Sequence, residues 1–168
     1  MLVQKKLGNI VSASVEDKTI DYVVFEWYET NKRIQIKKTD AGREISLKFM
    51  TENPALTEGD ILYEDEDSVI VVQVAACKCM VISPENMYDM ASVCYEIGNK
   101  HLPLFFEHNE LLVPYEKPLF TMLTALGYTI KTEDRKLLTP LRTTVSPHAH
   151  ISEGSLFSKI MKLTTTHE

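Results

Sequence analysis

Two kinds of hydrophobic periodicity, one after the other, predict an α+β protein. Through the first half of the 168 residues, apolar side chains recur at every second position in short runs separated by Gly, Asn and Asp. Beyond about residue 77, two stretches take up the 3.6-residue spacing of amphipathic helices, each set between short apolar runs. The expected organisation is an N-terminal β domain over residues 1–76, an α/β-alternating domain over 77–140, and a flexible tail over 141–168.

In the first part, Tyr22 to Tyr28 is rich in β-branched and aromatic residues and reads as a strand. Arg33–Lys38 sets Ile34 and Ile36 against polar neighbours. Asp40-Ala41-Gly42 is a turn, with Gly42 free to take a positive φ. Arg43–Phe49 returns with Ile45, Leu47 and Phe49 on one face, completing a hairpin. Asn53-Pro54 and Glu58-Gly59-Asp60 break the pattern. Ile61–Tyr63 and Val69–Val74 add two more strands around an acidic turn. These elements predict a small β-sandwich or partly open barrel.

In the second part, Met80–Ile82 reads as a short strand. Ser83 is suited to cap a helix and Pro84 to begin it. Met87, Met90, Ala91, Cys94, Ile97 and Gly98 then fall on one helical face, and Gly98-Asn99 is a stop signal. Leu104–Glu107 and Leu111–Val113 form a hairpin through His108-Asn109. A second helix runs from about Glu116 to Leu126, stopped by Gly127, and Tyr128–Lys131 is the last strand. The order β-α-β-β-α-β is that of the ferredoxin-like fold.

Composition narrows the function. The net charge of −6 argues against a dedicated nucleic-acid or anionic-membrane surface. Met1–Ile20 has no apolar core of a secretory signal, and nothing downstream is long and apolar enough to span a bilayer, so the expected compartment is the cytoplasm. Three cysteines do not make a disulfide framework. Cys77 and Cys79 read as two small hydrophobes on one side of a strand. No phosphate loop, dinucleotide fingerprint or nucleophile elbow occurs.

The histidines remain. All five lie in the second half: His101, His108, His148, His150 and His167. His108 sits in a tight turn and reads as a loop residue. His148 and His150 are one residue apart. On an extended tail they either chelate a divalent ion together or are simply solvated. His167 stands next to the last residue and reads as exposed. His101 follows a helix end, where its backbone is fixed and its imidazole accessible. One imidazole holds a metal weakly, but two copies related by a two-fold axis can share an ion. Imidazole suits zinc, copper, iron and nickel, and a shared, exposed site suits transfer of an ion more than its retention.

Several of these segments resemble the urease accessory protein UreE family. Glu96-Ile97-Gly98-Asn99-Lys100-His101, following Cys94-Tyr95, is similar to that family's helix-ending signature. Asp21-Tyr22-Val23, Glu26-Trp27, Asn31-Lys32-Arg33 and Gly59–Tyr63 resemble its N-terminal domain, and Leu112–Pro118 resembles the approach to its second helix. The resemblance implies a peptide-binding β domain, a ferredoxin-like domain that forms a homodimer, and no catalytic turnover. It implies Ni(II) as cargo, bound at the dimer interface by His101, with His148 or His150 of the tail adding ligands; imidazole chemistry by itself also admits Zn(II) or Cu(II) in vitro. The partners implied are apo-urease and the urease accessory GTPase. The tail carries no long polyhistidine run, which tells against a high-capacity nickel store.

Two rival readings are a partner-binding and dimerisation module of a urease maturation complex, with metal binding secondary, and an enzyme such as a phosphatase on the ferredoxin-like plan. The missing phosphate-binding loop counts against the second.

Overall fold

The computed structural model describes residues 1–13, 15, 17–50 and 53–141. Among the described residues, eleven strands and two helices follow one another. The first seven strands, β1 (Leu2–Val3), β2 (Gly8–Asn9), β3 (Thr19–Phe25), β4 (Ile34–Lys38), β5 (Glu44–Lys48), β6 (Asp60–Glu64) and β7 (Ser68–Val74), make two sheets. Their orders are β1-β5-β4 and β2-β6-β7-β3. Val23 and Phe25 of β3, Ile45 and Leu47 of β5, and Ile70 and Val72 of β7 meet in one core, so the two sheets share a single apolar interior. Strand β7 is buried on both sides, because Val69 and Val71 pack the other way, under Ile10, Val15 and Tyr22.

The expected β4–β5 hairpin forms, with Ile36 opposite Ser46. Ile45, Leu47 and Phe49 are buried as the alternation predicts. Strand β4 is reversed in polarity. Ile34 and Ile36 are about two-thirds exposed, at 64% and 67%, while Gln35 and Lys37 turn inward. Their inward orientation follows from their partners. The Gln35 Nε2 donates to the Glu29 carbonyl at 3.1 Å. The Lys37 ammonium pairs with the Glu29 carboxylate and lies 5.2 Å over the Phe25 ring. Strand β3 ends at Phe25, earlier than Tyr28, because the chain then turns: the Glu29 amide donates to the Glu26 carbonyl at 2.8 Å.

The second half carries β8 (Ala76–Ile82), α1 (Met87–Asn99), β9 (Phe105–Glu107), β10 (Glu110–Pro114), α2 (Lys117–Ala125) and β11 (Ile130–Lys136). Its antiparallel sheet has the order β11-β8-β10-β9. Met80 and Ile82 of β8 and Leu111 and Val113 of β10 face both helices, against Val93 and Ile97 of α1 and Leu119 and Leu123 of α2. The alternate residues Cys79, Val81 and Leu112 face the other way, toward Phe105, Leu137 and Trp27. Cys77 and Cys79 therefore do share one face of a strand. Trp27, from the first half, stands edge-on to Phe105 with ring centroids 5.7 Å apart. A second tie joins the halves where Lys136 Nζ meets Glu58 Oε1 at 2.8 Å.

The start of α1 differs from the pattern read in the sequence, while that of α2 falls at Glu116 as expected. Ser83 and Pro84 precede α1; its N-cap is Asn86, whose side-chain oxygen accepts from the Asp89 amide at 3.0 Å. In α2, the Glu116 carboxylate caps by accepting from the Leu119 amide at 2.6 Å, and Pro118 occupies the first turn. Strand β11 extends to Lys136, well past Lys131. Its Thr-Glu-Asp-Arg-Lys segment is polar but pairs residue for residue with β8.

Candidate metal centre

The buried stripe of α1 is Met90, Val93, Cys94 and Ile97, at helical spacing. Met87, Ala91 and Gly98, grouped with that stripe in the sequence, lie on the outside instead. They join Tyr88 and Tyr95, which are 79% and 68% exposed, while Met87 is 82% exposed. Helix α1 therefore has two apolar faces, one buried under the sheet and one turned outward. Periodicity detected an apolar helix but merged the two stripes. The spacing of Tyr88, Ala91 and Tyr95 was the available signal for the outer one.

That outer face leads to His101. The helix does not close on Gly98-Asn99, both of which are helical; its cap is Lys100. The left-handed residue is His101 itself, at φ 55°. Its amide donates to the Gly98 carbonyl at 2.9 Å, and the Leu102 amide reaches back to the Ile97 carbonyl at 3.4 Å. This pair of bonds is a Schellman motif, with His101 at the position glycine usually takes and Leu102 packed on the core beside Ile97. The motif fixes the His101 backbone, and the residue is exposed.

Among the described residues, no three His, Cys, Asp or Glu side chains gather into a metal site. His148, His150 and His167 lie outside the described residues. His108 and Asn109 have φ of 47° and 66° and form the two-residue turn between β9 and β10. The His108 side chain is 86% exposed and lies 3.9 Å from Glu107. The nearby carboxylates are committed elsewhere: Arg135 reaches Glu107 at 2.6 Å, Glu133 at 2.9 Å and Glu110 at 3.7 Å.

The three thiols are buried or partly buried. Burial pushes the Cys77 thiol up to about 11, helped by the proximity of Cys79, Glu26 and Asp134. Burial also raises Cys79 and Cys94. Metal-binding cysteines are thiolates, and these environments favour the protonated form.

The geometry defines a sheet-rich α+β protein with two helices, whose second half presents a histidine at the end of an outward apolar helix face. Comparison with known proteins assigns it. The family model described as UreE urease accessory protein, N-terminal domain, matches residues 3–75, and that of the C-terminal domain matches residues 77–154. The urease accessory protein UreE of Flavobacterium johnsoniae is 39% identical over 163 residues, covering 97% of this chain and 99% of the relative. That of Acetivibrio thermocellus is 38% identical over 150 residues, covering 89% and 97%. That of Helicobacter pylori is 33% identical over 170 residues, covering 96% and 100%. This chain belongs to the UreE urease accessory protein family.

Proposed function

We propose that the protein is a nickel chaperone of urease maturation: a homodimer that carries Ni(II) and releases it to apo-urease together with the urease accessory GTPase. The observation that carries this reading is the placement of His101. A backbone-fixed, surface imidazole stands at the end of an apolar helix face that a two-fold mate can cover. In that dimer the two His101 side chains share one ion, and the neutral imidazoles release it as protons compete. His148 or His150 completes the coordination from the tail. The relatives are all named accessory proteins, which supports a carrier without catalytic turnover that works in the cytoplasm. Among the described residues, no helix is long and apolar enough to cross a membrane. Zn(II) and Cu(II) bind the same imidazoles in vitro.

The strand order β11-β8-β10-β9, with a helix in each of the two long connections, supports a ferredoxin-like domain over residues 77–140. The core shared by the two N-terminal sheets supports a sandwich over residues 1–76; the expected tail over 141–168 lies, beyond Leu141, outside the described residues.

The test is nickel titration calorimetry. His101→Ala loses the tightest site and remains a folded dimer. Truncation after Val145 keeps that site but weakens binding or lowers stoichiometry. A full-affinity site in His101→Ala would refute the assignment of His101.

A further inference from the structure

Cys77 and Cys79 stand on the face of β8 turned away from both helices. Strand β8 lies inside its sheet, between β11 and β10, so its backbone holds the two thiols at a set spacing. Alternate residues of a strand are about 6.7 Å apart along it. A disulfide prefers α-carbons about 5.5–6 Å apart, closer than the paired strand sets them. Both thiols are free. An ion held between two sulfurs asks less. Metal–thiolate bonds are about 2.3 Å long, so the sulfurs need only stand about 4.6 Å apart, which the side chains reach by leaning toward each other.

The surroundings select the ion. Cys79 is fully buried, while Cys77 is partly exposed between the exposed Ala76 and Lys78. Trp27, Phe105, Leu112 and Leu137 pack around the pair. The Cys79 thiol donates to the Glu133 carbonyl at 3.3 Å. Glu26 and Asp134 lie near enough to Cys77 to attract a cation to it, and Arg135 acts on Cys79 in the sense that favours a thiolate. Among the described residues, no three His, Cys, Asp or Glu side chains gather into a metal site, so the two thiols have no further ligand beside them. Ni(II) and Zn(II) take four or more ligands. A soft monovalent ion of filled d shell is satisfied by two thiolates in a line.

We propose that Cys77 and Cys79 form a metal site separate from His101, which takes one Cu(I) or Ag(I) ion between its two sulfurs. Two sulfur–metal bonds replace two sulfur–hydrogen bonds, both protons leave to solvent, and no electron is transferred. Cys77 is the point of entry. The site lies across the sheet from α1, so it loads independently of His101 and diverts a soft ion from the imidazoles.

The experiment titrates the reduced full chain with Ag(I), and with Cu(I) against bathocuproine disulfonate as competitor. Trp27 is the chain's one tryptophan and packs on the same cluster, so its fluorescence reports the site. Emission falls and levels off at one ion per chain, with about two protons released per ion. Cys77→Ser changes one atom at a partly exposed position. It weakens binding at least about a hundredfold, because two linked donors outdo either alone by about 10²–10⁴. Cys79→Ala does the same. Cys94→Ser and His101→Ala take up the first ion with the affinity of the parent. Undiminished binding by Cys77→Ser overturns the proposal. So does loss of the first ion in Cys94→Ser or His101→Ala. Saturation at one ion for every two chains overturns it as well, by assigning the ion to a shared interface.

Discussion

The His101 amide donates to the Gly98 carbonyl at 2.9 Å, and in closing that bond His101 takes the left-handed backbone that Gly98, two residues inside the helix end, does not need. The proposed metal ligand is thus also the structural stop of α1. A non-glycine residue in this region is strained by roughly 1 kcal/mol or more.

His101→Gly is accordingly expected to fold more stably than the parent, by about 1 kcal/mol, while losing the tight nickel site. Urea denaturation and nickel titration on the same preparation check both halves. A variant less stable than the parent would show that the His101 side chain contributes more to folding than its backbone costs.

The outward face of α1 makes a second prediction. Tyr95→Glu places a charge among Tyr88, Ala91 and Gly98, away from the buried stripe. If the proposed dimer forms through this face, the variant keeps its thermal unfolding midpoint in dilute solution and sediments as a monomer where the parent sediments as a dimer. Its nickel stoichiometry per chain should fall with the dimer. A variant that still sediments as a dimer would move the interface elsewhere.

Asp21 sets an acid limit on the N-terminal sheets. Its side chain is buried, which by itself raises its affinity for a proton. Hydrogen bonds from Thr39, the Ala41 amide at 2.9 Å and Arg43 at 2.7 Å outweigh this and hold the carboxyl below its ordinary value of 3.8. The folded state thus keeps Asp21 ionised at acidities where the unfolded chain binds a proton. Its stabilisation is complete above the ordinary value and is lost as pH falls through the lowered one. Urea midpoints for the parent should drop from about pH 5 to pH 3, and Asp21→Asn should be less stable at neutral pH with a shallower acid fall. Parallel curves would contradict this.

Phe105 is 5% exposed, and its ring meets that of Trp27 at an interplanar angle of 82°. Phe105→Ala should cost about 3 kcal/mol. A double-mutant cycle with Trp27→Ala should show a coupling of about 1 kcal/mol. Additive losses would mean that the two rings respond to burial alone.

How far the sequence disclosed this structure depends on what each residue faces. Ile45, Leu47 and Phe49 were legible as a buried face because their alternation and burial coincide. Ile34 and Ile36 alternate equally well but face outward, since Gln35 and Lys37 find their partners on Glu29. Alternation locates a strand without saying which side is covered. Strand β11 beyond Lys131 was invisible to hydrophobic patterning because backbone pairing with β8 defines it. At the candidate site, a histidine following a helix end could be read directly. That His101 adopts the left-handed turn could not, because Gly98 and Asn99 were the stronger stop signals. The outer stripe of α1 was present in Tyr88 and Tyr95 but overlapped the inner one.

Between β7 and β8 the chain has one residue, Ala75, whose amide is fixed to the Phe25 carbonyl at 2.9 Å. The Glu58 carboxylate takes the Val74 amide with one oxygen and Lys136 with the other, both at 2.8 Å. A junction this short has no slack to reel in or pay out. The two halves therefore turn as one piece, and in the proposed carrier the hand-over of an ion from His101 would be a matter of alignment and not of a tethered search.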